Sequence, residues 1–225
     1  MLPIHVIIPA AGSGSRMGAS LPKLLLELAG VPIVVRTLRT ICQLKDVVQI
    51  VVTAPKEYVA TYRDLLAPES DLVTVVCGGK TRQESVKIAL AEISKKVINP
   101  EEELVLIHDG ARCFVTKKIL EDAVEGAEKH HAITVAVPVI DSIKRVDDRG
   151  VTKESLQRSE LWAIQTPQVF TYSLIDKAHQ SDNTVATDDA SLVESFYPVH
   201  IVEGDRCNIK VTTPFDLKIA KALLE

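Results

Sequence analysis

The sequence predicts an α/β fold in which a mostly parallel sheet carries helices on both faces. Short runs of Val, Ile and Leu, almost without polar interruption, are typical of parallel strands buried on both sides. Amphipathic segments with helix-start signals separate these runs. Alternation of this kind indicates a three-layer, Rossmann-like architecture.

The predicted strands are five short apolar runs. They cover residues 6–8, 48–52, 73–76, 104–107 and 133–139. In open α/β sheets, ligands bind beyond the carboxyl ends of the strands. Functional residues are therefore expected in the loops that directly follow these runs.

Three helices have starts that can be read from the sequence. Thr81 and Glu84 form a capping box, and an apolar stripe follows at Val86, Leu90 and Ile93. Thr116 is the expected N-cap of a second helix, whose buried face should consist of Ile119, Leu120, Ala123, Val124 and Ala127. Thr213 followed by Pro214 opens the last helix, because proline suits the first helical position.

A polar and charged segment at about residues 140–162 interrupts the alternation. It contains a turn signal at residues 147–150. Pattern alone leaves two explanations open, an arm that packs on a second subunit and a mobile surface insertion. Residues 1–225 are otherwise predicted to form a single domain, since this length suits one large α/β domain.

The composition argues against several classes of protein. A formal net charge of −4 gives no broad basic face for nucleic acid. No apolar stretch approaches the roughly 20 residues that span a bilayer, and no basic segment precedes the first strand. Neither nucleic acid nor a membrane is an expected partner. Four cysteines without C-x-x-C spacing are interpreted as free thiols, in a cytoplasmic protein or the mature form of an organellar one; they are Cys42, Cys77, Cys113 and Cys207.

The loop after the first predicted strand is the main indication of an anion site. Residues 9–18 read PAAGSGSRMG, and small residues let backbone N–H groups approach an anion closely. A Walker A loop is excluded, because no glycine–lysine pair follows Gly12 or Gly14 at the required distance. A dinucleotide fingerprint is excluded because Gly18 comes one residue late and no carboxylate ends the second strand.

Two cations accompany this loop. Arg16 lies inside it, and Lys23 follows Pro22. Most Lys and Arg side chains are solvated surface charges. A glycine-rich loop with both nearby nevertheless favours a triphosphate site, since cations and Mg²⁺ must offset its charge before an alkyl phosphate can approach.

Further motifs follow in order along nearly the whole chain, and the ordered set is specific although each motif alone is modest. They are PAAGxGxRM at residues 9–17 with PK at 22–23, GGxxRxxSV at 78–86, HDGAR at 108–112, DSIKR at 141–145, RxxxW at 158–162 with QTPQ at 165–168, TDDAS at 187–191, EG at 203–204 and NIKVT at 208–212. With these motifs the chain resembles the 2-C-methyl-D-erythritol 4-phosphate cytidylyltransferases of the non-mevalonate isoprenoid pathway.

The resemblance implies a nucleotidyltransferase fold and a reaction. CTP and the methylerythritol phosphate, a small polyol phosphate, would give the CDP-alcohol and pyrophosphate with Mg²⁺ as cofactor. It also implies a homodimer whose protruding dimerisation arms reach across to the partner's site.

The resemblance also implies roles for individual residues in the nucleotide site. The catalytic cations would be Arg16, Lys23 and Lys210, which stabilise the pentacoordinate phosphorus and the leaving pyrophosphate. The first loop would bind the nucleotide through Ala10, Ala11, Gly12 and Gly14. The cytosine would be held by Gly78, Gly79 and Ser85.

For the acceptor, the position of Asp109 directly after the predicted strand at 104–107 and the resemblance together give a second set of residues. Asp109 would contact Mg²⁺, itself coordinated mainly by the triphosphate, or the polar head of the acceptor. Arg112 would bind the acceptor phosphate, as its planar guanidinium suits. Thr166 would bind the methylerythritol phosphate, together with Ser142 and Arg158 of the neighbouring subunit.

Other polar residues are interpreted as structural. His108 is one, because this reaction has no difficult proton to remove. For Asp188 and Asp189, the favourable position of negative charge at a helix start is a sufficient explanation. Two residues depart from the family pattern, since Cys113 replaces a common proline and Ser142 replaces the usual threonine.

Two alternatives remain. A ribitol 5-phosphate cytidylyltransferase would share the fold and chemistry, but the Lys144-Arg145 pair, the Arg158-x-x-x-Trp162 block and the Pro-Ala-Ala-Gly loop resemble the methylerythritol enzymes more closely. A catalytically silent regulatory module on the same fold would be expected to lack the three cations, which are all present.

Overall fold

The computed structural model describes residues 2–12, 21–180 and 186–225. Its strands, in chain order, are β1 (Ile4–Pro9), β2 (Glu27–Leu28), β3 (Val31–Pro32), β4 (Val47–Ala54), β5 (Val73–Cys77), β6 (Leu104–Ile107), β7 (Ala132–Pro138), β8 (Lys144–Val146), β9 (Thr152–Ser155), β10 (Trp162–Thr171) and β11 (His200–Glu203). Its helices are α1 (Ile33–Ile41), α2 (Val59–Leu66), α3 (Arg82–Ile93), α4 (Lys117–His130), α5 (Tyr172–Gln180), α6 (Asp189–Val193) and α7 (Pro214–Ala222).

Seven strands form one sheet in the order β11-β7-β10-β6-β1-β4-β5. Every neighbouring pair is parallel except the two that involve β10, which runs antiparallel to β6 and β7. The predicted mostly parallel sheet is confirmed. Since β1 has β4 on one side and β6 on the other, the strand order reverses there, which is where α/β sheets bind ligands.

Side chains alternate between the two faces of the sheet, and each face has its own core. In β1, Ile4, Val6 and Ile8 pack on one side, while Ile7 packs on the other. Residues of α1, α2, α4 and α7 cover the first face, and residues of α3, α5 and α6 cover the second. The predicted three layers are therefore present.

All three predicted helix starts are confirmed. Thr81 and Glu84 form the capping box of α3, and the Thr116 side chain accepts from the Ile119 N–H of α4. The buried residues of α4 are the five expected from the sequence. Thr213 caps α7 with Pro214 in its first turn.

The predicted strands differ from the observed ones mainly in length and number. The 104–107 run matches β6, while the other four shift or extend by one to three residues. β10 is absent from the prediction because Gln165, Thr166 and Gln168 break its apolar pattern. Its pairing with β7 is interrupted between Ile164 and Gln168, next to the candidate site.

Between Pro138 and Trp162 the chain leaves the large sheet. β8 and β9 form a separate antiparallel hairpin whose residues are all exposed. The predicted turn is confirmed, since the Gly150 N–H donates to the Asp147 carbonyl with Gly150 at φ +79°, a conformation that suits glycine. Of the helices that the structure describes, none combines the length and apolarity needed to cross a bilayer.

Candidate active site

A cleft of 510 Å³ lies at the carboxyl ends of the central strands. Its walls come from the loop after β1, the loop after β5, the loop after β6, and the segment before α7. These loops meet because the carboxyl ends of neighbouring parallel strands share one edge of the sheet. The sequence prediction of a site at this edge agrees with the geometry.

Lys23 and Lys210 both line this cleft, although they are far apart in sequence. Lys23 Nζ donates to the Val211 carbonyl over 3.2 Å, and the Val211 N–H donates to the Ala111 carbonyl. These bonds hold the 208–212 block against Lys23 and against the loop after β6. Arg16, the third predicted cation, and Gly14 lie outside the described residues, so their roles stay predictions.

Within the first loop, Ala10, Ala11 and Gly12 line the cleft. The Ala10 N–H donates to the carbonyl and, over 3.3 Å, to the Oγ1 of Thr53, so it is occupied within the protein. Among residues 2–12, 21–180 and 186–225, no atom lies within 4 Å of a Cβ built on Gly12. Ala11 and Gly12 are thus the better placed of the three to approach a phosphate.

The loop after β5 contacts the loop after β1 at Gly78. A Cβ on Gly78 would lie 2.3 Å from Ala11 Cβ, and one on Gly79 would lie 2.3 Å from Glu84 Cβ, so larger residues do not fit. The buried Ser85 hydroxyl accepts from the Gly79 N–H over 3.0 Å and donates to the Thr81 carbonyl over 2.9 Å. Ser85 therefore shapes the loop that was predicted to hold the base.

Asp109 is the electrostatic centre of the site. Its Oδ1 accepts from Arg82 Nε over 3.2 Å, its Oδ2 lies 2.7 Å from Lys210 Nζ, and Arg112 Nε lies 3.9 Å away. Burial alone would raise the pKa of Asp109, but the charges of Arg82, Lys210 and Arg112 outweigh it and hold that pKa below its usual range. The carboxylate is therefore ionised at neutral pH.

A second cavity, of 380 Å³, lies on the other side of Asp109. It shares Arg82, Asp109 and Lys210 with the first cleft and adds Arg112 and Thr166. The shared residues place the two cavities side by side. The pair can therefore hold two ligands whose reacting groups meet near Asp109 and Lys210.

Arg112 and Thr166 are both fixed by hydrogen bonds at this second cavity. Arg112 donates to the Asn208 carbonyl over 2.8 Å and to the Ile164 carbonyl over 3.4 Å. The Thr166 hydroxyl accepts from the Asp109 N–H over 3.0 Å. Their predicted contacts with the acceptor remain predictions, but these hydrogen bonds define where both side chains lie.

His108 lies behind the site and does not face either cavity. Its side chain is fully buried, with Nε2 3.1 Å from the Arg112 carbonyl and Nδ1 3.1 Å from Thr166 Oγ1. Burial lowers the pKa of His108 to about 4, so the ring is neutral at neutral pH. The geometry agrees with the structural role expected for it.

Ser142 and Arg158 do not join the site within one chain. Both are exposed in the segment between β7 and β10, and neither lines the two cavities. Arg158 donates to the Ile140 carbonyl over 3.0 Å and lies beside Trp162 in a separate hollow. Their expected contribution to a neighbouring subunit's site stays a prediction.

The described residues offer no ready-made metal cage. Within residues 2–12, 21–180 and 186–225, no group of three or more His, Cys, Asp or Glu side chains could hold a metal ion. Mg²⁺ is commonly bound by one or two carboxylates together with substrate phosphates. Asp109, a single ionised carboxylate at the cleft, fits an ion that is carried mainly by a triphosphate.

Arg82 and Asp189 are functional residues whose roles the sequence patterns do not reveal. Asp188 caps α6, as expected, by accepting from the Ser191 N–H. Asp189, however, is almost fully buried and lies 2.6 Å from Arg82 Nη1 and 3.0 Å from His179 Nε2, so charge at a helix start does not account for it. The available signal was Arg82 itself, a cation directly after a helix N-cap, where positive charge is unfavourable.

Comparison with known proteins identifies the family. The model of the 2-C-methyl-D-erythritol 4-phosphate cytidylyltransferase (IspD) family matches residues 4–225. The chain belongs to this family. A relative of that name from Bacillus mycoides is 45% identical, with 97% of this chain and 96% of the relative covered. One from Prochlorococcus marinus is 40% identical, with 98% of each chain covered.

Solved structures of the family share the fold. A 4-diphosphocytidyl-2C-methyl-D-erythritol synthase from Anaerococcus prevotii superposes with a TM-score of 0.86 at 31% identity, over 99% of this chain and 96% of that one. A family member from Francisella tularensis gives a TM-score of 0.82 at 30% identity, over 98% and 99% of the two chains. The predicted nucleotidyltransferase fold is therefore confirmed.

Proposed function

We propose that this chain transfers CMP from CTP to 2-C-methyl-D-erythritol 4-phosphate, which yields 4-diphosphocytidyl-2-C-methyl-D-erythritol and pyrophosphate. Membership of the family supports the cytidylyltransferase activity and the acceptor. The observation that carries the proposal in the structure is the pair of adjoining cavities that share Asp109 and Lys210. Two substrates bound there would meet at a cationic boundary.

CTP occupies the first cleft in this proposal. Its triphosphate lies along Ala11 and Gly12 and against Lys23 and Lys210, with Arg16 as a further predicted cation. The cytosine base lies toward the loop after β5, where the close contact at Gly78 leaves little room for a larger base. These cations offset the charge that develops on the α-phosphate and the leaving pyrophosphate.

The acceptor occupies the second cavity, with its phosphate toward Lys210 and Arg112. The nucleophile is a phosphate oxygen that is already anionic, so no base has to remove a proton. Lys210 is suited to bring the two phosphates together because it lines both cavities. Positioning and charge stabilisation then account for most of the rate enhancement.

Mg²⁺ is the proposed cofactor. When bound, it would neutralise triphosphate charge and stabilise the charge of the transition state. Asp109 is the described carboxylate placed to hold it, and the triphosphate would supply most other ligands. The protein's own part is to keep Asp109 ionised and directed at the boundary between the cavities.

A homodimer with exchanged arms is part of the proposal. The segment between β7 and β10 exposes Ile140, Val146 and Val151, which are 61%, 52% and 58% exposed. Its polar residues Ser142 and Arg158 line neither of the two site cavities of their own chain. An arm that packs on a partner would cover the apolar residues and bring the polar ones to the partner's acceptor cavity.

One assay tests the proposed reaction against its alternatives. Purified protein with Mg²⁺ and CTP should release pyrophosphate with methylerythritol phosphate and hardly any with ribitol 5-phosphate. Lys23→Met should reduce kcat by about 100-fold, since it removes a cation from the triphosphate site. Lys118→Met is the matched control, because this exposed lysine pairs with Asp122 on α4, away from the cleft.

The outcomes separate the hypotheses. Release with ribitol phosphate alone would replace the acceptor, and no release with either alcohol would favour the regulatory module. A Lys23→Met variant as fast as the control would remove Lys23 from the mechanism.

A further inference from the structure

Arg82 occupies a position that is unfavourable for a cation. It is the first residue of α3, where the helix dipole repels positive charge, and only 28% of its side chain is exposed. A partly buried charge is costly to remove from water unless it is paired. A compensating arrangement must therefore hold this guanidinium in place.

Two carboxylates from different parts of the fold provide that compensation. Arg82 Nε donates to Asp109 Oδ1 over 3.2 Å, and Arg82 Nη1 donates to Asp189 Oδ2 over 2.6 Å. The second oxygen of Asp189 lies 3.0 Å from His179 Nε2 on α5. The guanidinium thus links the loop after β6 to α6, and through Asp189 to α5.

This link restrains the carboxylate of Asp109. Arg82 donates to Asp109 Oδ1, and Asp109 Oδ2 faces Lys210. The backbone next to it is fixed by the Asp109 N–H bond to Thr166. The plane of the carboxylate is therefore defined before any substrate binds, which is how preorganised sites reduce the cost of reaching the productive geometry.

We propose that Arg82, held in turn by Asp189, is a positioning residue that orients the Asp109 carboxylate between the two substrates. The inference rests on the proposed function and adds a residue pair to it. Asp189 lines neither cavity, and it reaches the site through its ion pair with Arg82. Arg82 acts through Asp109 and does not serve primarily as a phosphate ligand.

Steady-state kinetics of Arg82→Gln, Arg82→Lys and Asp189→Asn test the proposal. Each should lower kcat by about tenfold or more, because a small displacement of a reacting group is costly, while KM for either substrate changes by less than about threefold. Arg82→Lys keeps the charge but cannot reach two carboxylates with one planar fork, so it should not restore kcat. Arg39→Gln is the control, because it breaks an exposed Arg–Glu pair with Glu69 far from the cavities.

A double-mutant cycle with Asp109→Asn identifies the route of the effect. Arg82→Gln should cost little further activity in the Asp109→Asn background, since the residue acts through that carboxylate. Additive losses accompanied by a large rise in KM would overturn the proposal in favour of direct phosphate binding. A lower melting temperature with unchanged kcat would overturn it in favour of a purely structural pair.

The same measurements distinguish this proposal from the proposed function. If the wild-type protein forms no pyrophosphate, the proposed function fails whatever Arg82 does. If the wild-type protein is active and Arg82→Lys is equally active, the positioning role alone fails. Arg82→Lys keeps the charge between both carboxylates and is expected to fold, so it decides the matter even if Asp189→Asn does not fold.

Discussion

Gly78 illustrates, at the scale of single residues, how closely the loops around the first cleft are packed. The loops after β1 and β5 touch at this point, and a methyl group on Gly78 would lie 2.3 Å from Ala11 Cβ and 2.9 Å from Ser85 Oγ. Real Cβ atoms essentially never make contacts under 3.0 Å, so Ala11 and its loop, or the loop of Gly78, would have to shift. Both loops line the proposed CTP cleft.

We therefore expect Gly78→Ala to raise KM for CTP by about tenfold or more, because a displaced loop places the base badly. Adding Ala11→Gly removes the atom that makes the shortest contact and should recover part of the affinity. Steady-state kinetics of the single and double variants provide the measurement. A Gly78→Ala protein with wild-type KM would show that the two loops can separate without consequence.

Some residues of the site could be predicted from the sequence and others could not. Lys23 and Lys210 belong to recognisable blocks, and the structure brings them to one cleft. Arg82 stands in an equally recognisable block, but its partners Asp109 and Asp189 follow 27 and 107 residues later. No local pattern encodes such pairings, because they depend on how the strands are ordered in the sheet.

At the scale of secondary-structure elements, Glu103 joins the start of β6 to β1 and to the turn that precedes it. Its Oε2 lies 2.6 Å from His5 Nε2, and its Oε1 accepts from the N–H groups of Ile98 and Asn99 over 2.7 Å each. Burial raises the pKa of Glu103, but the hydrogen bonds from Asn99, His5 and Ile98 outweigh it and lower that pKa. The ionised carboxylate is thus favoured in the folded state.

The sign of the pH dependence follows from this shift. The folded pKa is lower than the unfolded one, so the stabilisation is complete above the unfolded pKa, about 4.3, and is lost as the pH falls through the folded pKa. Glu103→Gln should lower the free energy of unfolding at pH 7 by roughly 1–3 kcal/mol. Its difference from the wild type should shrink as the pH falls below about 4.3.

Denaturant unfolding at a series of pH values measures this difference. Glu101→Gln is the matched control, since Glu101 is an exposed carboxylate in the same turn. A wild-type-to-variant difference that stays constant down to the lowest pH would contradict the assignment of ionised Glu103 as the stabilising form.

The elements that could be predicted are those whose signals are local. The starts of α3, α4 and α7 depend on a cap and its neighbours within one turn, and all three are confirmed. β10 was not predicted because its polar residues, which face the site, interrupt its apolar pattern. Its partners β6 and β7 also come from distant parts of the chain, so no local signal marks the pairing. The exposed edge strand β11 likewise lacks a continuous apolar run.

At the scale of the whole molecule, the oligomeric state decides whether the proposed acceptor site is complete. The arm carries exposed apolar residues, and Arg158 lines neither of the two cavities at the candidate site of its own chain. We expect a dimer in sedimentation velocity experiments. The double variant Val146→Asp and Val151→Asp should shift it to monomer and lower kcat/KM for the acceptor by at least about tenfold, because charges in an apolar interface are costly.

Ile98→Asp serves as the control, because Ile98 is 92% exposed and lies outside the arm. It should leave both the sedimentation coefficient and the kinetics unchanged. A wild-type protein that is fully active as a monomer would show that the arm supplies nothing to the site.

β10 is a single strand that connects the arm to the middle of the large sheet. Its first residue, Trp162, stands where the arm ends, Thr166 bonds to the Asp109 N–H, and its last residues pair with β6 in the middle of the sheet. No loop separates these residues, since all of them belong to the same strand. The strand therefore joins the end of the arm directly to one wall of the second cavity, which Thr166 lines.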